Sequence, residues 1–210
     1  MKHLKVFTFN AFQENTYVLW NAKKEAIIID PGNSSSLENQ ELSDFLESEG
    51  LTPIELLLTH AHIDHVLGVD YVYRTYKLVP RLFLEDAFTY SLAQKSADMY
   101  QIPYTAGPEP NYFVTLNGFI YSDLKLQVRF VPGHAKGHVI FINEDENFAI
   151  VGDTIFRGSI GRTDLPGGNH DELLSNIQSE IFTLHPDMEL YPGHGPHTTV
   201  QYEKDNNPFF

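Results

Sequence analysis

Short runs of apolar residues, some alternating with polar ones, mark the first quarter of the chain. Each run has the length of a β-strand and is bounded by polar or turn-forming residues. The third run ends at Pro31-Gly32, a dipeptide that favours a turn. These runs predict strands over residues 5–9, 15–20, 25–30 and 54–58.

Helical spacing of apolar residues marks three further segments. Residues 34–36 are serines, and behind them Leu42, Phe45 and Leu46 share one helical face, with Gly50 beyond. This pattern predicts an amphipathic helix with a serine cap. A second helix is predicted over residues 85–100. A third is predicted to open at Asp171, because apolar residues follow it at helical spacing: Leu173, Leu174, Ile177, Ile181 and Leu184.

Strand-like runs resume in the second half of the chain. They predict strands over residues 126–131, 139–143, 148–151 and 189–191. Residues 104–117 are rich in Pro, Gly and Tyr and are predicted to form a surface loop. A block of strands, a helix, more strands and another helix predict an α/β sandwich with helices on the outer faces of packed sheets.

Composition narrows the classes of protein that remain. A length of 210 residues suits one domain, which we expect to span residues 1–210. The absence of Cys excludes disulfides and thiolate chemistry, so any metal must be bound by His and carboxylates. A net charge of −14 argues against nucleic acid as a partner. Without a signal-like or membrane-length apolar run, we expect a soluble cytoplasmic protein with no membrane partner.

A dense group of potential metal ligands follows the apolar run 54–58. His60 and His62 lie two residues apart at a strand end, point to the same side and can share one ion. Asp64 and His65 then turn toward a neighbouring point, so one loop can serve two metals. The alternative is a solvated polar loop in which Asp64 caps a helix.

Three further candidate ligands each follow a glycine at the end of an apolar run: His134, Asp153 and His194. Glycine removes a side chain and permits unusual backbone angles, so a ligand can project from a strand end into a crowded centre. Taken singly, a Gly-His after a strand is more often a turn, and a Gly-Asp before Thr154 is more often a helix cap or a loop. Together with the His60 segment, these residues place candidate ligands at four strand ends, and this set favours a metal site.

With these residues in view, the chain resembles the metallo-β-lactamase superfamily, and within it the glyoxalase II-like single-domain hydrolases. The motifs that carry the resemblance are Glu14-Asn15-Thr16-Tyr17, Ile29-Asp30-Pro31-Gly32, the segment from His60 to His65, Pro132-Gly133-His134, Gly152-Asp153-Thr154, the segment from Ser159 to Gly168, and the segment from Tyr191 to Pro196.

The resemblance implies a four-layer αββα sandwich and a site for two divalent metal ions. The implied ligands are His60, His62 and His134 for the first ion, Asp64, His65 and His194 for the second, and Asp153 as a bridge between them. Asp64 and Asp153 are also the implied catalytic residues. Zinc suits such nitrogen and oxygen ligands, and iron or manganese would also fit.

The implied activity is hydrolysis of a small-molecule thioester of the S-lactoylglutathione type by a hydroxide bridging the metals. Longer glyoxalase II enzymes add a C-terminal helical domain that helps to hold glutathione, whereas this sequence ends at Phe210. The alternatives are a persulfide dioxygenase with a single iron, a hydrolase of lactones or phosphodiesters, and a non-catalytic binding protein on the same fold. The dioxygenases tend to have Asp where this chain has Gly195.

Other polar residues carry weaker expectations. We expect Arg162 and Asp164 to form a buried pair that supports the loop after Asp153. His138 either orients a ligand or makes a structural hydrogen bond. The remaining expectations are His3, His170 and His185 at the surface, His197 lining the pocket or exposed, and Lys136 and Arg157 facing an anionic substrate.

Overall fold

The computed structural model describes residues 3–113, 119–121 and 124–210, with residues 119–121 described by their backbone. The chain divides into two compact units, Met1–Phe113 and Val114–Phe210, called here the N-terminal unit and the C-terminal unit. The expectation of a single domain over residues 1–210 stays a prediction. No helix among the described residues combines the length and apolar character needed to cross a membrane.

The N-terminal unit contains a mixed sheet whose strand order follows the chain. Its described strands are β1 Leu4–Phe9, β2 Glu14–Trp20, β3 Glu25–Ile29, β4 Thr52–Leu57, β5 Arg81–Phe83 and β6 Asn111–Phe113. The first three strands pair antiparallel, whereas β3, β4, β5 and β6 are parallel neighbours. The carboxyl ends of these parallel strands therefore lie along one edge of the sheet.

Helices of the N-terminal unit follow the strands along the chain. They are α1 Ser36–Ser48, α2 Ile63–Val66, α3 Val69–Tyr76, α4 Ala87–Ser91 and α5 Ala93–Tyr100, with a 3₁₀ turn at Leu84–Asp86 before α4. Buried apolar side chains such as Ile28 and Leu56 of the sheet join Leu42 of α1 and Val72 of α3 in one core. Removing this apolar surface from water is the main driving force for the packing.

The C-terminal unit contains a second mixed sheet. Its described strands, in sheet order, are β14 Thr198–Thr199, β13 Glu189–Pro192, β10 Phe148–Gly152, β9 Val139–Asn143, β8 Leu124–Phe130 and β7 Phe119–Tyr121. β10 and β13 are parallel, whereas β9 pairs antiparallel with both β8 and β10. The strands β8, β10 and β13 therefore all run in one direction and end at the same sheet edge.

Helices of the C-terminal unit are α6 His170–Asn176, continued by a π-helical turn at Ile177–Ile181, and α7 Val200–Asn206. A hairpin of two short strands, β11 Ile155–Phe156 and β12 Ser159–Ile160, follows the end of β10. Leu173, Ile177 and Ile181 are buried in a core with Ile142 and Leu190 of the sheet. The helical spacing seen in the sequence thus marks the buried face of this helix.

Three predicted elements differ from the structure. The predicted helix 85–100 is wrong as a single element, because a turn at Leu92 separates α4 from α5. The predicted loop 104–117 is wrong at β6, which pairs parallel with β5, and residues 114–117 lie outside the described part of the chain. The helix expected to open at Asp171 begins at His170, where the Asn169 side chain accepts the N–H of Glu172 as a cap.

Candidate metal centre

The first group of predicted ligands lies in the loop and short helix α2 that follow β4. His60 and His65 are fully buried, whereas His62 and Asp64 are half-buried. Asp64 lies inside α2, and the cap position of that helix belongs to His62. The alternative of a solvated loop capped by Asp64 is therefore wrong, since two imidazoles are removed from water here.

Asp30, the residue directly after β3, determines which nitrogen of His60 carries the proton. Its carboxylate accepts the Thr59 N–H at 2.7 Å and the Thr59 hydroxyl at 2.6 Å. Because that hydroxyl has one hydrogen and gives it to Asp30, its oxygen accepts from His60 Nδ1 at 3.0 Å. The lone pair of His60 is therefore on Nε2, the form in which imidazole binds a metal.

Asp30 orients His65 in the same way. His65 Nδ1 lies 3.1 Å from Asp30 Oδ2 and donates to this carboxylate, which places the lone pair on Nε2. His65 Nε2 lies 3.7 Å from Asp64 Oδ2. Asp30, His60 and His65 each offer a ligand atom within 4.8 Å of the others. Since the Asp30 oxygens already accept hydrogen bonds, we assign Asp30 to support of the two imidazoles.

Glu14 is a second buried carboxyl group beside His65. Its Oε1 lies 3.8 Å from His65 Nδ1, and the Thr16 hydroxyl donates to its Oε2 at 2.9 Å. Burial raises the pKa of Glu14 well above its ordinary value, an effect that His65 opposes and Asp30 increases. His65 therefore lies among three carboxyl groups, those of Glu14, Asp30 and Asp64.

The structure keeps the division expected within this loop, since His60 and His62 offer ligand atoms to one compact group and Asp64 and His65 to another. The ring centroids of His60 and His62 are 4.8 Å apart, and those of His60 and His65 are 4.2 Å apart. The chain leaves the strand at Leu57 and enters α2 at Ile63. Because a helix turns successive side chains around its axis, His65 lies close to His60, as a neighbouring point requires.

The second group of predicted ligands lies at the ends of three strands of the C-terminal unit. His134 follows β8, Asp153 follows β10 and His194 follows β13. The N–H of Gly193 donates to the carbonyl of Gly152 at 2.8 Å, which joins two of these strand ends. Parallel strand direction thus brings together residues that are far apart in the sequence.

Asp153 Oδ2 is the point at which the two histidines of the C-terminal unit converge. His134 Nε2 and His194 Nε2 each lie 3.5 Å from this oxygen. His134 Nδ1 donates to the carbonyl of Arg162 at 2.7 Å, so the lone pair of His134 is on Nε2. Two ligand atoms of one tetrahedral ion with bonds of about 2.1 Å lie about 3.4 Å apart. The donor set and its spacing therefore fit divalent cations.

Glycine supplies the backbone form expected at two of the three strand ends. Gly133 has φ +130° and Gly152 has φ +48°, both in the range that side chains disfavour. A Cβ on Gly133 would lie 2.4 Å from the backbone nitrogen of Leu173 in α6. Both positions therefore favour glycine for its backbone freedom, and at Gly133 the residue must also be small.

A family model for the metallo-beta-lactamase superfamily matches residues 9–201. The chain belongs to the metallo-β-lactamase superfamily. Hydroxyacylglutathione hydrolase GloC of Haemophilus influenzae is 31% identical to it, over 99% of this chain and 97% of that protein. This metallo-β-lactamase superfamily member is accordingly a metal-dependent hydrolase.

Solved structures give the same assignment. BLEG-1 B3 metallo-beta-lactamase is 35% identical with a TM-score of 0.90, over 98% of each chain. TTHA1623, solved in a di-iron-bound form, is 33% identical with a TM-score of 0.88, over 98% of this chain and 100% of that one. The predicted fold class, that of the metallo-β-lactamase superfamily, is confirmed.

Among the weaker expectations for this superfamily member, one is wrong in part. Arg162 and Asp164 do pair, at 2.7 and 2.8 Å, but both side chains are more than half exposed, so the pair is not buried. Hydrogen bonding with Arg162 lowers the pKa of Asp164 to about 2. His138 is buried and makes the structural bond, since its Nε2 accepts the N–H of Asp153 at 3.1 Å.

The other histidines and basic residues lie mostly at the surface. His170 and His185 are exposed as expected, whereas His3 is half-buried and stacks on Trp20 at 5.6 Å. His197 is exposed, with its ring stacked on Tyr191 at 5.5 Å. Lys136 is exposed, and the exposed Arg157 guanidinium lies 4.4 Å from the ring of Tyr202.

The supporting residues were not identified from the sequence. Asp30 occurs in a motif that carried the resemblance, and its position after an apolar strand matched that of the proposed ligands. The position of Asp30 after an apolar strand could therefore have identified it from the sequence. Asp86, which bonds to the loop of His60, has no such signal, because only the folded chain brings it to Ala61.

Proposed function

We propose that this hydrolase cleaves thioesters of the hydroxyacylglutathione type at a site with two divalent metal ions. The 31% identity to hydroxyacylglutathione hydrolase GloC supports the substrate class. The proposed ligand sets are His60, His62 and His134 for one ion, Asp64, His65 and His194 for the other, and Asp153 for both.

One observation carries the proposal. Asp153 Oδ2 lies 3.5 Å from both His134 Nε2 and His194 Nε2, and these two histidines belong to different proposed ions. A single oxygen at ligand-to-ligand distance from both is the arrangement that a bridging carboxylate requires. We infer zinc as the metal, with iron as the alternative that the di-iron form of TTHA1623 favours.

Two bound cations would lower the pKa of a water and polarise a thioester carbonyl. The imidazoles and the carboxylates of the protein would then have separate roles. Asp30 and the Arg162 carbonyl accept from Nδ1 of His65 and His134, so Nε2 would be the nitrogen through which each imidazole binds a cation. The carboxylates of Asp64 and Asp153 can hold the proton of the attacking water. A thiolate leaves easily, so the reaction needs no strong general acid.

Substitution of Asp153→Ala tests the proposal. We expect the variant to lose both metal equivalents, and its thioester hydrolysis to fall by more than the roughly 100-fold that loss of an outer partner can cost. Asp145→Ala is the matched control, because Asp145 is exposed in the same unit and pairs with Lys125. Retention of both metals and activity by Asp153→Ala would refute the assignment.

β-Lactam hydrolysis is a second candidate. Its support is the similarity to BLEG-1 B3 metallo-beta-lactamase, at 35% identity and a TM-score of 0.90. To compare the possible hydrolase activities, kcat/KM is measured for S-lactoylglutathione, a lactone, a phosphodiester and a β-lactam. Oxygen consumption with glutathione persulfide tests the dioxygenase alternative on the same preparation. The highest kcat/KM on the β-lactam would replace the proposed substrate.

A further inference from the structure

Asp86 is a fully buried carboxylate that contacts the loop carrying His60 and His62. It lies at the end of the 3₁₀ turn after β5, and its Oδ2 accepts the N–H of Ala61 at 2.6 Å. Ala61 is the residue between the two histidines. Its other oxygen, Oδ1, accepts the hydroxyl of Thr89 at 2.7 Å.

The order of the parallel strands explains why this contact forms. β3, β4 and β5 are neighbours in the sheet, and the His60 loop follows the middle strand. Asp30 follows β3 and accepts the N–H of Thr59, whereas Asp86 follows β5 and accepts the N–H of Ala61. The loop is therefore bonded on both sides, by one carboxylate from each flanking strand.

A capping role for Asp86 in its own helix does not explain its position. Asp86 occupies the cap position of α4, where an Asp side chain ordinarily accepts a backbone N–H from the first turn. Among the described residues, no such bond from α4 reaches the Asp86 side chain. Its oxygens accept the Thr89 hydroxyl and the Ala61 N–H instead, so the carboxylate is directed away from the helix backbone and toward the loop.

The N–H of Ala61 needs an acceptor from outside its own segment. Ala61 is buried at 1% exposure and lies between the end of β4 at Leu57 and the start of α2 at Ile63. A buried backbone N–H without an acceptor is strongly disfavoured, so Asp86 fixes the peptide that joins His60 to His62.

We propose that Asp86 is a positioning residue that sets the spacing of the His60 and His62 imidazoles for metal binding, with Thr89 holding its carboxylate in place. The inference rests on the proposed role of these histidines as ligands of the first ion. It predicts a selective effect, because Asp86 holds the peptide between His60 and His62, and both of these histidines are proposed ligands of the first ion.

Asp86→Ala, Asp86→Asn and Thr89→Val test this role in metal-free protein titrated with Zn²⁺ against a chelating dye. We expect Asp86→Ala to weaken one of two Zn²⁺ equivalents by about 10- to 100-fold and to leave the other unchanged. Asp86→Asn should restore near wild-type affinity, since its amide oxygen can accept from Ala61 while its NH₂ donates to Thr89. Asp98→Ala, at an exposed position of α5, is the control.

The visible spectrum of bound Co²⁺ gives a second readout, which reports the coordination geometry of the bound ions. If Asp86→Ala does not fold, Thr89→Val decides, because it removes only the hydroxyl bond to Oδ1 and should weaken the same equivalent. Wild-type affinity and spectrum in the folded variants would overturn the positioning role. His60→Ala separates the two hypotheses: if it also keeps both equivalents, the proposed metal site itself fails.

Discussion

Glu203 shows at the scale of one residue how a buried side chain connects distant parts of the C-terminal unit. This fully buried carboxylate of α7 accepts the Thr198 hydroxyl, the N–H of Gly158 at 3.0 Å and the Asn207 side-chain amide at 2.8 Å. Gly158 lies in the hairpin that follows Asp153. Glu203 thus joins the last helix of the chain to the segment after a proposed ligand.

Glu203→Ala should lower the free energy of unfolding by about 2 to 4 kcal/mol, because three donors lose a charged acceptor in a buried place. Urea unfolding of the metal-free protein measures the loss. Asp205→Ala on the same helix is the control, since Asp205 is exposed and should cost at most about 0.5 kcal/mol. Equal losses for the two variants would mean that the Glu203 network does not contribute.

Residue types and their spacing in the sequence were enough to predict the ligands. They were not enough to predict the hydrogen bonds that support those ligands. His134, Asp153 and His194 share a sequence pattern, a glycine after an apolar strand, and the structure brings them together around Asp153 Oδ2. Asp86 lies 25 residues from Ala61 in the sequence. It bonds to Ala61 because β4 and β5 are neighbours in the sheet, and no local sequence pattern reveals that pairing. The error about Arg162 and Asp164 has a related cause, because pairing can be inferred from charge whereas burial depends on the surrounding chain.

At the scale of elements, the start of α1 is tied to the ligand segment of the N-terminal unit. Glu38 Oε2 accepts the N–H groups of Ser34 and Ser35, and Oε1 accepts the N–H of Asn10 at 2.7 Å. The Asn10 side chain in turn donates to the carbonyl of Asp64 at 3.0 Å. The serine cap predicted from the sequence is a capping box in the structure, and it is part of a longer set of hydrogen bonds.

Glu38→Gln should lower the free energy of unfolding by about 1 to 2 kcal/mol at pH 7. Burial raises the pKa of Glu38, but hydrogen bonds from Ser34, Asn10 and Ser35 outweigh it and lower the pKa below 4.5. A lowered pKa stabilises the folded state fully above pH 4.5, and this contribution disappears as the pH falls through the folded pKa.

The difference between wild type and Glu38→Gln should therefore be constant near neutral pH and shrink below pH 4.5. Chemical unfolding of metal-free protein between pH 3 and pH 7 measures it. Glu41→Gln, an exposed position on the same helix, provides the comparison and should show no such pH dependence. A Glu38→Gln difference that grew toward low pH would contradict the sign of the pKa shift.

Element prediction succeeded where one face of a segment is buried and failed where a short element depends on its neighbours. α1 has Leu42 and Leu46 buried on one face, and the same periodicity is visible in the sequence. β6 has only three residues, and it forms because β5 offers a parallel partner. The helix predicted over residues 85–100 breaks at Leu92, although no Gly or Pro marks the break.

The whole molecule carries a net charge of −14, and this charge complicates any test of metal binding. An acidic protein attracts every divalent cation weakly, because cations reduce the repulsion among its carboxylates. A specific site must therefore show a preference among cations of equal charge. The proposed ligands include five imidazoles, which suit Zn²⁺ and not Mg²⁺, a cation that prefers oxygen and water.

Zn²⁺ should accordingly raise the unfolding temperature of chelator-treated protein, and Mg²⁺ at the same concentration and ionic strength should not. A cation present at about 100 times its Kd adds about 2.7 kcal/mol per site, which corresponds to roughly 5 to 10 °C for a chain of this size. Thermal unfolding with each cation measures the difference. His185→Ala, which removes an exposed histidine, should keep the full response. Equal shifts in unfolding temperature with both cations would mean that they bind through the overall charge of the protein. Overall charge cannot distinguish two divalent ions, whereas imidazole nitrogen can.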